Sequence, residues 1–294
     1  MSIEPKPSLP NLAAVRRELA QRFEPVYGAA EARCMAQILV EDLLGLTPTE
    51  VALRLADAVS ASDCERLMQA GRRIAAGEPL QYVTGSVVFA GRRFAVSPSV
   101  LIPRPETQEL VAWVAAEAGG RALSVLDVGT GSGCIAVSLK AERAQLRVSG
   151  CDVSADALAV ARANADAHGL PVAWFEADIL SGDVPGAPYD VVVSNPPYIC
   201  RREMAAMSAN VVEHEPHLAL FVPDSDPLLF YRVIARRCVA GLLAPGGSLF
   251  FEINEAYGPQ AARLLADTGF ENVELRKDFW SKDRMLRATF RPRP

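Results

Sequence analysis

An apolar run from Ser124 to Val128 passes straight into Gly129-Thr130-Gly131-Ser132-Gly133, and a helical pattern begins at Cys134. A short apolar run, a glycine turn and a helix in succession read as one strand of a buried sheet with its crossover helix. The alternation continues. Leu146 to Cys151 reads as a strand, Ala155 to His168 as a helix and Val172 to Phe175 as a third strand. Tyr189 to Val193 and Ser248 to Ile253 add strands, separated by a helix over Leu228 to Leu243, and Pro259 to Asp267 adds another helix. The expected class is α/β, with a mostly parallel sheet covered on both faces. The closing strand signals, Asn272 to Arg276 and Met285 to Phe290, have no helix between them and require an antiparallel return.

The amino-terminal part has a different texture. From Leu9 to Ala76 apolar residues recur at helical spacing (Leu12, Val15, Leu19; Met35, Ile38, Leu39, Leu43), punctuated by Gly45, Pro48 and Gly77. This predicts a small bundle of four or five helices. Val87 to Phe89, a Gly91 turn and Phe94 to Val96 then read as a hairpin. The expected organisation is a helical domain over 1–79, a hairpin linker over 80–103 and the sheet domain over 104–294.

Half of the 294 residues are apolar, enough for a sizeable core, yet the longest apolar runs fall far short of the ~20 residues a membrane-spanning helix needs. The opening residues lack the basic and apolar regions of a signal peptide, so a cytoplasmic location is expected. Cys34, Cys64, Cys134, Cys151, Cys200 and Cys238 show no ligand spacing and read as small buried side chains in a reducing compartment. His214 and His217 flank Pro216 at a non-helical spacing and read as solvated loop residues, so no metal site is expected. A net charge of −5, with basic residues only in isolated pairs, gives no support to a nucleic-acid partner.

Three constellations carry chemistry. Glycines at a strand-to-helix turn let the backbone approach a ligand, and the helix start offers free N–H groups. The spacing is G-x-G-x-G and the third position of a dinucleotide fingerprint falls on Cys134, which weakens a nicotinamide or flavin reading. Asp152 closes the next strand, where a carboxylate can accept from both ribose hydroxyls; a helix cap is the alternative, since Ser154 and Asp156 follow. Asp178, after the third strand, is a further candidate for the adenine end or a solvated loop acid.

The third constellation is Asn195-Pro196-Pro197-Tyr198, after the fourth strand. Two prolines stiffen the backbone and leave carbonyls free to accept, and Asn195 and Tyr198 add an amide and an aromatic face. Such a set suits a flat, conjugated NH₂ group, its hydrogens held by the Asn195 side-chain oxygen and the Pro196 carbonyl and its plane on Tyr198. Acceptors so directed favour pyramidalisation of the nitrogen and attack on a sulfonium methyl, with no covalent intermediate. The acceptor nitrogen is an amide or an exocyclic amine, as in DNA or RNA adenine or cytosine N-methylation of a flipped base. A noncatalytic adenosyl-binding module is a reading from another class, and it leaves the amine clamp without purpose.

These residues resemble the PrmC/HemK protein-glutamine methyltransferases over nearly the whole chain. The resemblance runs from Pro79-Leu80-Gln81-Tyr82-Val83-Thr84-Gly85 through Ile102-Pro103-Arg104-Pro105-Glu106-Thr107, the glycine loop, Asp152-Val153-Ser154 and the Asn-Pro-Pro-Tyr run. It continues at Glu215-Pro216, Ala219-Leu220, Lys277-Asp278 and Asp283-Arg284. It implies a class I, Rossmann-like methyltransferase sheet of seven strands behind an all-α domain that docks the substrate. It also implies S-adenosylmethionine as methyl donor and, as protein partner, class 1 peptide chain release factors, methylated on the glutamine of Gly-Gly-Gln in translation termination. A ribosomal-protein glutamine methyltransferase is the sister alternative. Carried over by residue, Gly129, Thr130, Gly131, Ser132, Gly133 and Asp152 would hold the cofactor, with Asp178 and Ile179 near its adenine. Asn195 would touch cofactor and glutamine, and Pro196, Pro197 and Tyr198 would complete the substrate site. Phe221 to Leu228 and Ile179 depart from the family pattern.

Overall fold

The structure, a computed structural model, describes residues 9–291. The expectation that no targeting segment opens the chain rests on residues outside these. The described residues divide into two compact units, one comprising residues 9–85 with Ala209–His214, the other Ser86–Ser208 with residues 215–291.

The first unit is helical. Its long helix Leu12–Leu44 is capped by Asn11, whose side chain accepts from the Ala14 N–H, and is interrupted at Gly28, where φ is +76°. Pro25 lacks the donor that would continue the helix ladder and Gly28 tolerates the left-handed backbone, so one apolar pattern folds as two helices. Pro48–Leu53 starts on a capping box between Thr47 and Glu50, and Ala61–Ala75 starts on Ser60. Leu19, Phe23, Leu39, Leu67 and Ile74 are fully enclosed in this core. Gly71 allows the close helix contact, since a Cβ there would lie 2.6 Å from the Leu19 side chain.

The second unit opens with the hairpin β1 (Ser86–Phe89) and β2 (Arg92–Ala95). Strands β3 (Ser124–Val128), β4 (Arg147–Asp152), β5 (Ala173–Glu176) and β6 (Tyr189–Ser194) follow. Short β7 (Ile199–Cys200) and β8 (Phe221–Val222) pair with each other, and β9 (Leu243–Glu252), β10 (Phe270–Lys277) and β11 (Asp283–Phe290) complete the set. The seven-stranded sheet has the order β10-β11-β9-β6-β3-β4-β5. Only β11 runs against both neighbours, inserted between β9 and β10. Alternate strand residues feed opposite cores, as Phe251 and Leu249 on one face and Phe250 on the other illustrate. Seven strands and an antiparallel last strand match the expected class.

Several expectations need correction. Residues 80–84, expected in a linker, form the helix Leu80–Thr84 of the first unit, because Leu80 packs into its core. The hairpin is no free linker either, since Phe89 and Phe94 are buried in the sheet unit with their rings edge to face at 5.9 Å. The helix Thr107–Ala118 has no counterpart in the sequence pattern, because its mostly buried, apolar surface obscures the period expected of a half-exposed helix. His214 ends one short helix and His217 begins another, and His214 Nε2 is buried rather than solvated. Cys34 is exposed and Cys64 half-buried, whereas the other four cysteines are buried. Among the described residues no helix is long and apolar enough to cross a membrane, and no cluster of three or more His, Cys, Asp or Glu could hold a metal.

Candidate active site

Register assembles the site. Val128 of β3 pairs with Cys151 of β4 and Ser194 of β6, and Ser194 pairs with Phe251 of β9. The residues that follow, Gly129, Asp152, Asn195 and Glu252, therefore stand side by side on neighbouring strands, ~4.8 Å per strand. The edge is the carboxyl one, and β3 lies where the connections diverge to β4 on one side and β6 on the other. Ligands of open α/β sheets bind at such a switch point.

The glycine loop is held from beneath. Gly129 and Thr130 N–H groups both donate to the Cys151 carbonyl at 2.9 and 3.0 Å, and the Gly131 N–H donates to Asp152 Oδ2 at 2.9 Å. Gly129, Gly131 and Gly133 have φ of +70°, +53° and +78°, a region that side chains strain. Asp127, wholly buried at the end of β3, accepts from the Thr130 hydroxyl at 2.6 Å and the Ala136 N–H at 3.2 Å. Burial pushes its carboxyl up to about 7, against the pull of those two hydrogen bonds. Asn164, also buried, donates to the Ser132 and Ala95 carbonyls and accepts from the Ala95 N–H, tying the loop to the hairpin.

Above the loop lies a cavity of about 410 Å³. Gly129, Thr130, Gly131, Ser132 and Asp152 line it, as do Asp178, Ile179, Asn195 and Pro197. Its wall on the Ile179 side continues through the apolar Leu180 and Phe230. Both Asp178 oxygens are engaged, one by the Leu180 N–H and the other by the Ser181 hydroxyl. The Ser181 bond first, then the Leu180 bond, holds this carboxyl below the usual carboxylate range. An acid at one end and an apolar slot at the other, in a volume within the ~300–1,000 Å³ of small-molecule sites, fit an adenosyl group.

Three of the residues expected in the site stand apart from the cavity wall. Gly133 caps the helix Cys134–Glu142, and a Cβ there would meet Trp174 and Ala161 at 3.0 and 3.1 Å, so its glycine serves the turn and the packing. Pro196 is buried and lines none of the cavity. Tyr198 is turned toward β9, where its hydroxyl donates to Glu252 Oε1 at 3.2 Å. Burial, and then the neighbouring Glu252, raise the Tyr198 hydroxyl well above its ordinary value, so it stays protonated.

Residues outside the expected site complete the picture, Thr107, Arg104 and Glu215 having entered only through the resemblance. Glu252 is fully buried, and Thr107, at the start of its helix, donates to Glu252 Oε2 at 2.6 Å. Asn195 Nδ2 donates in turn to the Thr107 hydroxyl at 3.3 Å. Glu252 had a readable signal, an acid closing the apolar run Leu249-Phe250-Phe251. Glu215, buried, accepts from Arg104 at 2.7 Å and from the Ile102 N–H at 3.2 Å, holding the Ile102–Thr107 segment over the cavity.

Comparison with known proteins gives consistent results. Residues 14–85 match the family model described as PrmC N-terminal domain, and residues 105–218 match that of the methyltransferase small domain. The chain is 41% identical over 271 residues to the release factor glutamine methyltransferase of Bacteroides thetaiotaomicron, covering 92% of this chain and 97% of that one. It is 39% identical to that of Chlorobaculum tepidum, over 87% and 90% of the two chains. Among solved structures, a 16S rRNA N2 methyltransferase of T. thermophilus in complex with AdoMet and guanosine superposes with a TM-score of 0.51. It is 20% identical, over 70% of this chain and 50% of that one, a likeness of fold.

Proposed function

This chain belongs to the family of release factor glutamine methyltransferases, and we propose that it transfers a methyl group from S-adenosylmethionine to the side-chain amide of a release-factor glutamine. The glutamine is that of Gly-Gly-Gln, the products are N5-methylglutamine and S-adenosylhomocysteine, and the reaction belongs to the cytoplasm. The observation that carries the reading is the register that sets the glycine loop, Asp152 and Asn195 together around one cavity.

The bound donor supplies an electrophilic methyl on a sulfonium sulfur. Gly129 to Ser132 and Asp152 hold it through backbone N–H groups and the carboxylate, with Asp178 and Ile179 at the adenine end. Asn195 Oδ1, on the cavity wall, accepts one amide hydrogen and the Pro196 carbonyl, outside the wall of the cofactor cavity, accepts the other from a glutamine that enters beyond it, while Pro197 and Tyr198 stiffen the turn. Accepting both hydrogens draws the nitrogen lone pair out of conjugation and offsets the positive charge that builds as the N–C bond forms and the C–S bond breaks. The nitrogen then releases one proton to solvent, leaving a neutral thioether and a secondary amide. The helical unit contributes to docking of the release factor.

Incubation with labelled S-adenosylmethionine and, in parallel, purified release factor, ribosomal protein and nucleic acid tests the substrate. Label is expected in the release factor alone and to vanish when its glutamine is replaced by alanine; label confined to nucleic acid overturns the reading. Asp152→Ala is expected to weaken cofactor binding roughly 10- to 100-fold, the worth of about 1.5–3 kcal/mol for hydrogen bonds to a charged group. Titration calorimetry measures it, and a change below about threefold would remove Asp152 from the cofactor site.

A further inference from the structure

We propose that Glu252 and Thr107 are positioning residues that fix which way round the Asn195 side-chain amide is held, so that its oxygen and not its nitrogen faces the substrate. This deepens the proposed function and rests on the reading of Asn195 as the holder of the glutamine amide. The argument is a count of protons. A threonine hydroxyl has one hydrogen to give and otherwise accepts. In Thr107 that hydrogen lies on the short 2.6 Å bond to Glu252 Oε2. Toward Asn195 the hydroxyl can then only accept, and Asn195 answers with Nδ2 at 3.3 Å. An amide tied by its nitrogen has its oxygen free to accept a substrate N–H. The other oxygen of Glu252 is held the same way, by the Tyr198 hydroxyl. Two donors thus converge on one buried carboxylate from the two segments that form the site, the start of the Thr107–Ala118 helix and the Asn-Pro-Pro-Tyr turn.

The polarity depends on Glu252 being an acceptor at both oxygens. A protonated carboxyl carries a hydrogen of its own, and donation from it to Thr107 would turn the Thr107 hydroxyl toward Asn195 as a donor and invert the amide. The groups facing Glu252 are Tyr198, Tyr231, Cys134, Glu106 and Arg284. Burial raises the Glu252 carboxyl to about 7, with Thr107, Arg284 and Tyr198 pulling it down and Glu106 raising it. In the wild type kcat, at saturating cofactor and release factor, is therefore expected to climb as the pH rises through about 7.

The test compares Thr107→Val, Thr107→Ser, Glu252→Gln and Asn195→Ala for kcat, KM and cofactor affinity between pH 5.5 and 8.5. T107V keeps the shape but removes the hydroxyl. It is expected to lower kcat roughly 10- to 100-fold, the range that partners orienting a functional side chain carry elsewhere, with cofactor affinity near wild type and a melting temperature lowered by a few degrees because buried Glu252 loses a donor. T107S should restore most of the loss. E252Q, which cannot titrate, should lose the rising limb. Wild-type kcat in T107V, or an unaltered limb in E252Q, overturns the positioning role. If N195A itself stays active, it is the reading of Asn195 that fails; if N195A is inactive while T107V and E252Q behave as wild type, the reading stands and this inference falls.

Discussion

Asn195→Ala is expected to lower kcat for methyl transfer at least ~100-fold, with the fold intact. The magnitude follows from what one preorganised hydrogen-bonding group aimed at developing charge contributes, about 10²–10³ in rate. Here the charge develops on the amide nitrogen, and Asn195 is the polar side chain of the turn that both lines the cavity and is anchored by Thr107. The anchoring strand ends in Ser194, buried and bonded to the Val128 carbonyl at 2.7 Å, so truncating the next side chain leaves the backbone where it is. Initial rates with purified release factor, beside circular dichroism and a cofactor titration, separate loss of chemistry from loss of structure. Activity within about tenfold of wild type would refute the amide clamp.

The largest effect on stability is expected from Phe251→Ala. Phe251 is fully buried on β9, pairs with Ser194 and Leu286 on either side, and meets Tyr231 edge to face with ring centroids 5.2 Å apart. Truncating a phenylalanine in such a core removes its transfer energy and leaves a cavity, a loss of about 3–5 kcal/mol. At ~2–4 °C per kcal/mol for a domain of this size, the melting temperature of the sheet unit should drop by roughly 6–20 °C. Phe251 also lies one residue before Glu252, so residual activity at low temperature should fall with it. A change of under about 1 kcal/mol by calorimetry would contradict the tight packing that sets this strand's register.

Corrections to the sequence reading have one cause. Apolar period and turn residues report local structure, and they found the strands, most helices and the glycine loop. They report poorly on a helix such as Thr107–Ala118 that is buried on most sides, or on a hairpin whose two phenylalanines serve a remote core. Likewise Gly133, Pro196 and Tyr198 stand in runs of site residues yet face packing or a neighbouring strand, because direction along a turn changes with every residue.

What the amino-acid order determined alone was the alternation of strands and helices, the glycine turn after β3, the stiff Asn-Pro-Pro-Tyr turn after β6 and the family these belong to. Each is a property of neighbours in the chain: side-chain periodicity, allowed φ, missing donors. Only the tertiary structure decided that β3, β4, β6 and β9 lie side by side in register, and hence that Gly129, Asp152, Asn195 and Glu252 share an edge. It also brought Thr107 to Glu252 across 145 positions, an arrangement no local pattern encodes. A carboxylate at the end of one strand acquires its partners, its burial and its role from strands and helices distant in sequence.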